Sequence, residues 1–311
     1  MGKKENERVK TPLFNKIKEG ELEGFKGYIP VDEYGIKVDD SLNIDIVAID
    51  QKFGFEGYEN SYDDVVAIEC KYQTNINYAI QISLAQAILY QTSFKKVYIA
   101  VNKDGSGPSY YVKNILERTG IGLITVKTAN NKGTSKEIKI AIPANPSKSN
   151  FFCESLYEKN TRDRAFLIAA FARACEANGY SKRNLCFGWR GSKNGSKENS
   201  LHIWMEMHII KDKLRIGCAY LLKLNKNNEP KKVEETALRL SIMGSEPDKS
   251  IKDQITGKFP DTNVNGTKRG DALEWDYDLK DLMKTKKNDE DIKEKMNNCI
   301  KWVNDMLKAQ I

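Results

Sequence analysis

Two apolar stretches of the chain carry charge where a buried strand should have none. In Leu42-Asn43-Ile44-Asp45-Ile46-Val47-Ala48-Ile49 a single aspartate interrupts a hydrophobic run. In Val65-Val66-Ala67-Ile68-Glu69-Cys70-Lys71-Tyr72-Gln73 a glutamate and a lysine stand two apart. An ionised carboxylate without a partner is costly to bury, so something must compensate Asp45. Alternate residues of a strand leave the same face, which puts Glu69 and Lys71 on one side and Ile68 and Cys70 on the other. If the two runs pair through the Gly/Asn/Asp-rich connection between them, Asp45, Glu69 and Lys71 converge at one edge of a sheet. Two carboxylates so close repel unless a cation sits between them, and hard oxygen ligands with room for water and phosphate suit Mg²⁺, with Mn²⁺ as a substitute. The main-chain carbonyl of Cys70 could add a further ligand. A divalent ion there would neutralise charge growing on a phosphate under attack, and the Lys71 ammonium could position the attacking water or share that charge. This is the inventory for phosphodiester hydrolysis.

Positioning these groups requires a sheet and the helices that cover it. Periodicity predicts a helix near Pro12 to Gly20, strands at Leu42 to Ile49 and Val65 to Tyr72, and a helix from Asn77 to Thr92. Strands at Lys96 to Asn102, Gly122 to Lys127 and Glu137 to Ile142 follow, with a helix near Tyr111 to Thr119 between the first two. That order implies an α/β domain built on a mixed sheet with helices on both faces. The proline-broken stretch Pro143 to Asn150 marks a domain boundary, giving a catalytic domain over 1–146 and a second, α+β domain over 151–311. In the latter, Thr161 to Asn178 reads as an amphipathic helix burying Phe166, Ile168, Ala169, Ala172 and Cys175, with Arg162, Arg164 and Arg173 outside the buried stripe. Leu201 to Ile210 and Leu214 to Leu224 alternate and should pair as an antiparallel hairpin. A short helix near Val233 to Met243 and a C-terminal helix with Ile292, Met296, Ile300, Val303 and Leu307 on one face complete it.

With Ile44-Asp45-Ile46-Val47-Ala48 followed by Ala67-Ile68-Glu69-Cys70-Lys71-Tyr72, roughly residues 10 to 142 resemble the PD-(D/E)xK nuclease superfamily, the restriction-endonuclease-like fold, closest to its restriction and defence-associated members. Gln86 and Tyr90, four apart on the following helix, are similar to the Q-x-x-x-Y element of the branch found in recombination-repair nucleases. The resemblance implies that Asp45 and Glu69 are metal ligands, that Lys71 is the catalytic lysine, and that Gln86 and Tyr90 orient the site or touch the phosphate backbone. It also implies DNA as the substrate, although the sequence itself does not distinguish DNA from RNA. Ile44 stands where the superfamily pattern has proline. Members often add an acid from the first helix, and Glu19, Glu21 or Glu23 could fill that place.

Simpler readings stand beside these. A Glu-x-Lys on a strand also occurs as a solvated pair worth little, and a tyrosine on an apolar helix face can simply pack. Asp50 rivals Asp45 but ends its run beside Gln51-Lys52, where a turn is expected. His202, Glu206 and His208 share a strand face with Trp204 and read as the outer face of a hairpin rather than a metal site. His202 and His208 are the only two histidines in the chain, so no Ser-His-Asp or Cys-His machinery can be assembled in the first domain. Between Ser181 and Ser200, Arg183, Arg190, Lys193 and Lys197 mix with glycines and Trp189 in a loop suited to following a phosphate backbone, or simply to connecting two strands in solvent. Lys268-Arg269-Gly270 is a weaker example of the same kind.

The net charge of +7 is concentrated beyond residue 150, where about +6 of it lies. A modest excess of this kind can draw a polyanion but is common without one. The 311 residues contain no apolar run of membrane-spanning length and no signal-type start, and the six cysteines form no close pair, so a cytoplasmic protein with reduced thiols is expected. The expectation is a Mg²⁺-dependent endonuclease acting on DNA, able to work as a homodimer if it cuts both strands. The alternatives are a catalytically silent nucleic-acid-binding protein and a nuclease gated by a ligand- or protein-sensing second domain.

Overall fold

A computed structural model describes residues 3–37, 41–55, 59–103, 107–129, 134–181, 185–188, 200–210, 214–224, 230–243, 267–269, 272–279 and 289–308. The chain divides into two compact units, Met1–Phe166 and Leu167–Ile311.

The first unit is a mixed α/β structure. Its sheet runs in sequence order: β1 (Tyr28–Lys37), β2 (Ser41–Asp50), β3 (Val65–Lys71), β4 (Lys96–Asn102), β5 (Gly122–Ala129) and β6 (Thr134–Ile142). β3, β4 and β5 are parallel neighbours and the remaining pairs are antiparallel. Parallel neighbours need crossovers, and these are the helices α3 (Ile76–Tyr90) and α4 (Tyr110–Thr119). Both start beyond the C-terminal ends of β3 and β4, capped by Asn75 and Ser109 side chains that accept the first free helical N–H groups. Gly120 ends α4 in the left-handed conformation, and its carbonyl accepts the Asn145 N–H at 2.9 Å.

The two faces of this sheet are buried by different helices. Ile46, Ala48, Val66, Ile68, Cys70, Tyr98, Ala100, Ile124 and Val126 pack in one cluster with Val9, Leu13 and Ile17 of the N-terminal helix. The alternate residues, Val47, Val65, Ala67, Val97, Ile99 and Val101 among them, are equally buried on the opposite side, where α3 meets β3 and β4. A strand enclosed on both faces reads as a continuous apolar run, which is why β3 and β4 were so clear in the sequence.

The N-terminal helix departs from expectation. It begins at Lys3 and continues through α1 (Lys3–Glu5), a π-helical stretch Asn6–Lys10 and α2 (Thr11–Lys18), whereas the sequence predicted a start near Pro12. A proline inside a helix lacks its N–H and crowds the preceding turn, and the widened π turn just before it accommodates both effects. The strand β1 was not anticipated; Pro30 and the acids Asp32 and Glu33 disguise a segment that pairs with β2 along almost its whole length.

The first unit also extends past the boundary expected at residues 147–150. Cys153 N–H donates to Thr92 O at 3.0 Å. The Asn160 amide donates to Ser93 Oγ at 3.0 Å, and Tyr157 stacks edge-on against Tyr62 with centroids 5.1 Å apart. The Pro-rich stretch is therefore a surface turn within the unit, followed by α5 (Glu154–Tyr157), a π-helical stretch Glu158–Arg162 and the start of α6 (Asp163–Ala177). Arg164 is buried, contrary to the amphipathic reading, because α6 is enclosed on nearly every side.

The second unit has an entirely antiparallel sheet of order β11-β12-β10-β9-β8-β7, formed by β7 (Leu185–Gly188), β8 (Ser200–Ile210), β9 (Leu214–Leu224), β10 (Pro230–Met243), β11 (Thr267–Arg269) and β12 (Ala272–Asp278). β8 and β9 form the anticipated hairpin. β10 replaces the helix expected near Val233 to Met243: pairing with both β9 and β12 overrides the helix-forming residues of the segment, and Leu238, Arg239 and Leu240 are all buried there. Helix α7 (Asp289–Lys308) buries Ile292, Met296, Cys299, Ile300 and Val303. Asn304 Nδ2 donates to Asn178 O at 2.7 Å, and the Asn178 amide to Asn297 Oδ1 at 2.9 Å, joining α7 to the end of α6. No helix among the described residues is long and apolar enough to cross a membrane.

Candidate functional site

The antiparallel ladder between β2 and β3 ends at the pair Ile46–Ile68. One step further along this register, Asp45 and Glu69 stand opposite each other. Beyond the last pair of the ladder, Cys70 N–H donates to Asp45 Oδ2 at 2.7 Å. The aspartate thus serves as the partner of a buried main-chain donor at the end of the ladder. Asp45 is 6% exposed and Glu69 3%. The Cys70 thiol belongs to the hydrophobic cluster on the other face, and burial pushes it well above its ordinary pKa, so only the main chain of this residue can serve the site.

Glu69 is fixed from the helix side. Tyr90, the last residue of α3 and fully buried, donates its hydroxyl to Glu69 Oε2 at 2.8 Å and lies 3.2 Å from Asn43 O. Burial, followed by the charge of Asp45, pushes the Glu69 carboxyl up to about 8, against the opposing pull of the Tyr90 hydroxyl and Lys71. At neutral pH this carboxyl holds a proton unless a cation offsets its surroundings. Burial and the adjoining Glu69 likewise hold the Tyr90 phenol far above its usual range, so it stays a donor.

Lys71 ends β3 and is half-buried. Its Nζ lies 3.1 Å from Glu5 Oε2. Burial pulls the ammonium down, but the hydrogen bond and charge of Glu5, reinforced by Glu69 and Asp45, outweigh it and hold the group above its ordinary pKa. The acid of the N-terminal helix that stands beside Lys71 is Glu5, and not Glu19, Glu21 or Glu23, which the sequence offered as candidates without choosing among them. Those three are exposed; Glu19 caps the end of α2 and Glu21 pairs with Lys16. The signal for Glu5 lay in the stripe Val9, Leu13, Ile17: extended one turn backwards at the same spacing of four, it reaches Glu5, a carboxylate at a buried position. Two more groups complete the edge. Arg8 donates to Tyr72 Oη at 2.7 Å, and buried Asn102, at the end of β4, accepts the Gln73 N–H at 2.9 Å and holds the chain leaving β3.

The structure thus brings Asp45, Glu69, Lys71 and Tyr90 together and adds Glu5. Gln86 is half-buried one turn before Tyr90 and makes no hydrogen bond to them. Asp50 Oδ1 accepts the Lys52 N–H at 2.9 Å, the turn role expected of it. Arg183, Arg190, Lys193 and Lys197 lie outside the described residues. His202, Glu206 and His208 occupy alternate positions on β8, and Lys268 and Arg269 lie in the short strand β11.

Among the described residues no group of three or more His, Cys, Asp or Glu side chains is arranged to hold a metal ion. The candidate set is the buried carboxyl pair of Asp45 and Glu69. Mg²⁺ is commonly held by one or two carboxylates, with waters and substrate oxygens completing its shell, so the donor chemistry fits. Comparison of the chain with protein-family models, curated proteins and solved structures gave no match.

Proposed function

We propose that the first unit is a divalent-metal-dependent phosphodiesterase of the PD-(D/E)xK kind, an endonuclease acting on DNA in a cytoplasmic setting. The observation that carries this reading is a pair of buried carboxyls at the end of the β2–β3 ladder, one of them pushed up to about 8 by burial and by the other, with the Lys71 ammonium acting on it. Such a pair is strained as two anions and relieved by a cation. Asp45, Glu69 and the Cys70 carbonyl would hold Mg²⁺ or Mn²⁺, which when bound supplies Lewis-acid stabilisation of charge on the phosphate and an acidified water.

The chain's own residues do the rest. Tyr90 engages Glu69 Oε2 and sets the plane of that carboxyl. Asp45 is oriented by the Cys70 N–H. Glu5 keeps Lys71 protonated and aimed across the edge, where its ammonium can donate to a non-bridging oxygen of the scissile phosphate or orient the attacking water. The deep burial of the pair excludes bulk water, which strengthens each of these interactions.

The test is cleavage of supercoiled plasmid, linear duplex and RNA in Mg²⁺, Mn²⁺ or EDTA by wild type, Asp45→Asn, Glu69→Gln and Lys71→Ala. Wild type should cut DNA only with metal, and each variant should lose about 10²-fold or more with its circular dichroism unchanged. Metal-independent binding without cleavage would instead identify a silent nucleic-acid-binding protein.

A further inference from the structure

Large apolar side chains on the surface of the described residues are few, and three of them are tyrosines at the start of α3 and α4. Tyr110 is 75% exposed, Tyr111 79% and Tyr78 53%. The rings of Tyr110 and Tyr111 meet edge to face, with centroids 5.9 Å apart. Asn77 ties the two helix starts together: its Oδ1 accepts the N–H of Ser109, the α4 cap, at 2.8 Å. Neither Tyr110 nor Tyr111 is needed for the core, which α4 reaches through Val112 and Leu116.

The place of these rings follows from topology. β3 and β4 are parallel, with Lys71 level with Val101, so their C-terminal ends share one edge of the sheet. α3 and α4 both begin beyond that edge, which is also the edge where Lys71 and Glu69 present their side chains. In open sheets with parallel strands, ligands bind outside these carboxyl ends. Lys113, in the first turn of α4, is turned along the helix towards Glu117, with Nζ 3.7 Å from its carboxylate, so the rings themselves are the main feature of this end of the helix. Exposed aromatic faces at the same end of the sheet as the proposed phosphate-handling site match the chemistry of a strand whose bases are free to stack.

We propose that Tyr78, Tyr110 and Tyr111 form a stacking platform for unpaired bases of a nucleic-acid strand whose backbone passes Lys71, a reading that rests on the nuclease proposal and narrows its substrate to DNA with single-stranded or opened segments. The side chains are outside the core, so their removal leaves the fold intact.

The experiment measures binding of a short fluorescein-labelled oligothymidylate, and of a blunt duplex, by fluorescence anisotropy in EDTA. It uses the full chain, Tyr110→Ala/Tyr111→Ala, Tyr110→Phe/Tyr111→Phe and Tyr78→Ala, with sedimentation velocity on each. The alanine pair should weaken single-strand binding by about tenfold, within the range that stacking on one or two bases gives. The phenylalanine pair should restore it, and duplex binding should change less. Absence of single-strand binding by wild type, equal affinity in the alanine pair, an equal loss on duplex, or a change in oligomeric state accompanying the substitutions would overturn the platform. Tyrosine-dependent binding without any metal-dependent cleavage would support the platform and sink the nuclease reading; cleavage with tyrosine-independent binding would do the reverse.

Discussion

Replacing Glu69 by glutamine should stabilise the metal-free first unit at neutral and alkaline pH. The Glu69 carboxyl is pushed from its ordinary 4.5 to about 8, first by burial and then by Asp45. Below about pH 4.5 the group is protonated whether the chain is folded or not. Between 4.5 and 8 the unfolded chain releases this proton while the folded chain keeps it, so stability falls as pH rises and levels off above 8. At about 1.4 kcal/mol per pH unit the full loss approaches 5 kcal/mol as an upper figure. Glutamine keeps an acceptor for the Tyr90 hydroxyl but carries no charge, so this pH dependence should vanish and Glu69→Gln should exceed wild type by several kcal/mol at pH 8. Saturating Mg²⁺ should narrow the gap by stabilising wild type alone. All four tryptophans lie beyond residue 188, so tryptophan fluorescence would not report on this unit. Hydrogen exchange of amides in Val65–Lys71, corrected for intrinsic rates between pH 5 and 8, reports on it directly. Protection in wild type that is flat with pH, or a slope that persists in Glu69→Gln, would refute the assignment of a raised Glu69 and with it the need for a cation.

Tyr90→Phe removes the donor that lowers Glu69, so its carboxyl should rise further and the Mg²⁺ concentration for half-maximal cleavage should increase about 10- to 100-fold; an unchanged metal titration would contradict this. Glu5→Gln removes the largest support for the Lys71 ammonium, so Lys71 should titrate lower and the alkaline limb of the pH profile of kcat/KM should move to lower pH, whereas an unmoved limb would show that Glu5 does not govern Lys71. Gly120→Ala places a Cβ 2.4 Å from Asn145 O at a φ of +73°, and should lower the stability of the first unit by about 1–2 kcal/mol or more in hydrogen exchange, with equal protection counting against the strain.

Some of this molecule was legible from local pattern alone. Asp45, Glu69 and Lys71 stood out because a strand buried on both faces is apolar throughout, so any charge in it is conspicuous, and a period of two assigned Glu69 and Lys71 to one face. The apolar character of α3 and the alternation of β8 and β9 were visible for the same reason: each is set by residues close together in sequence. What only the tertiary structure decided depends on partners distant in the chain. β1 and β10 exist because neighbouring strands supply their hydrogen bonds, against the local preferences of Pro30 and of the Glu-Glu-Thr-Ala-Leu segment. The first unit reaches Phe166 because Ser93 accepts bonds from residues far downstream. Glu5 joins the site because a π turn carries its helix past Pro12 to Lys71. The elevation of Glu69 is the clearest case: a carboxyl's affinity for its proton is set by surrounding dielectric and charge, and these exist only once β2, β3 and α3 have closed around it.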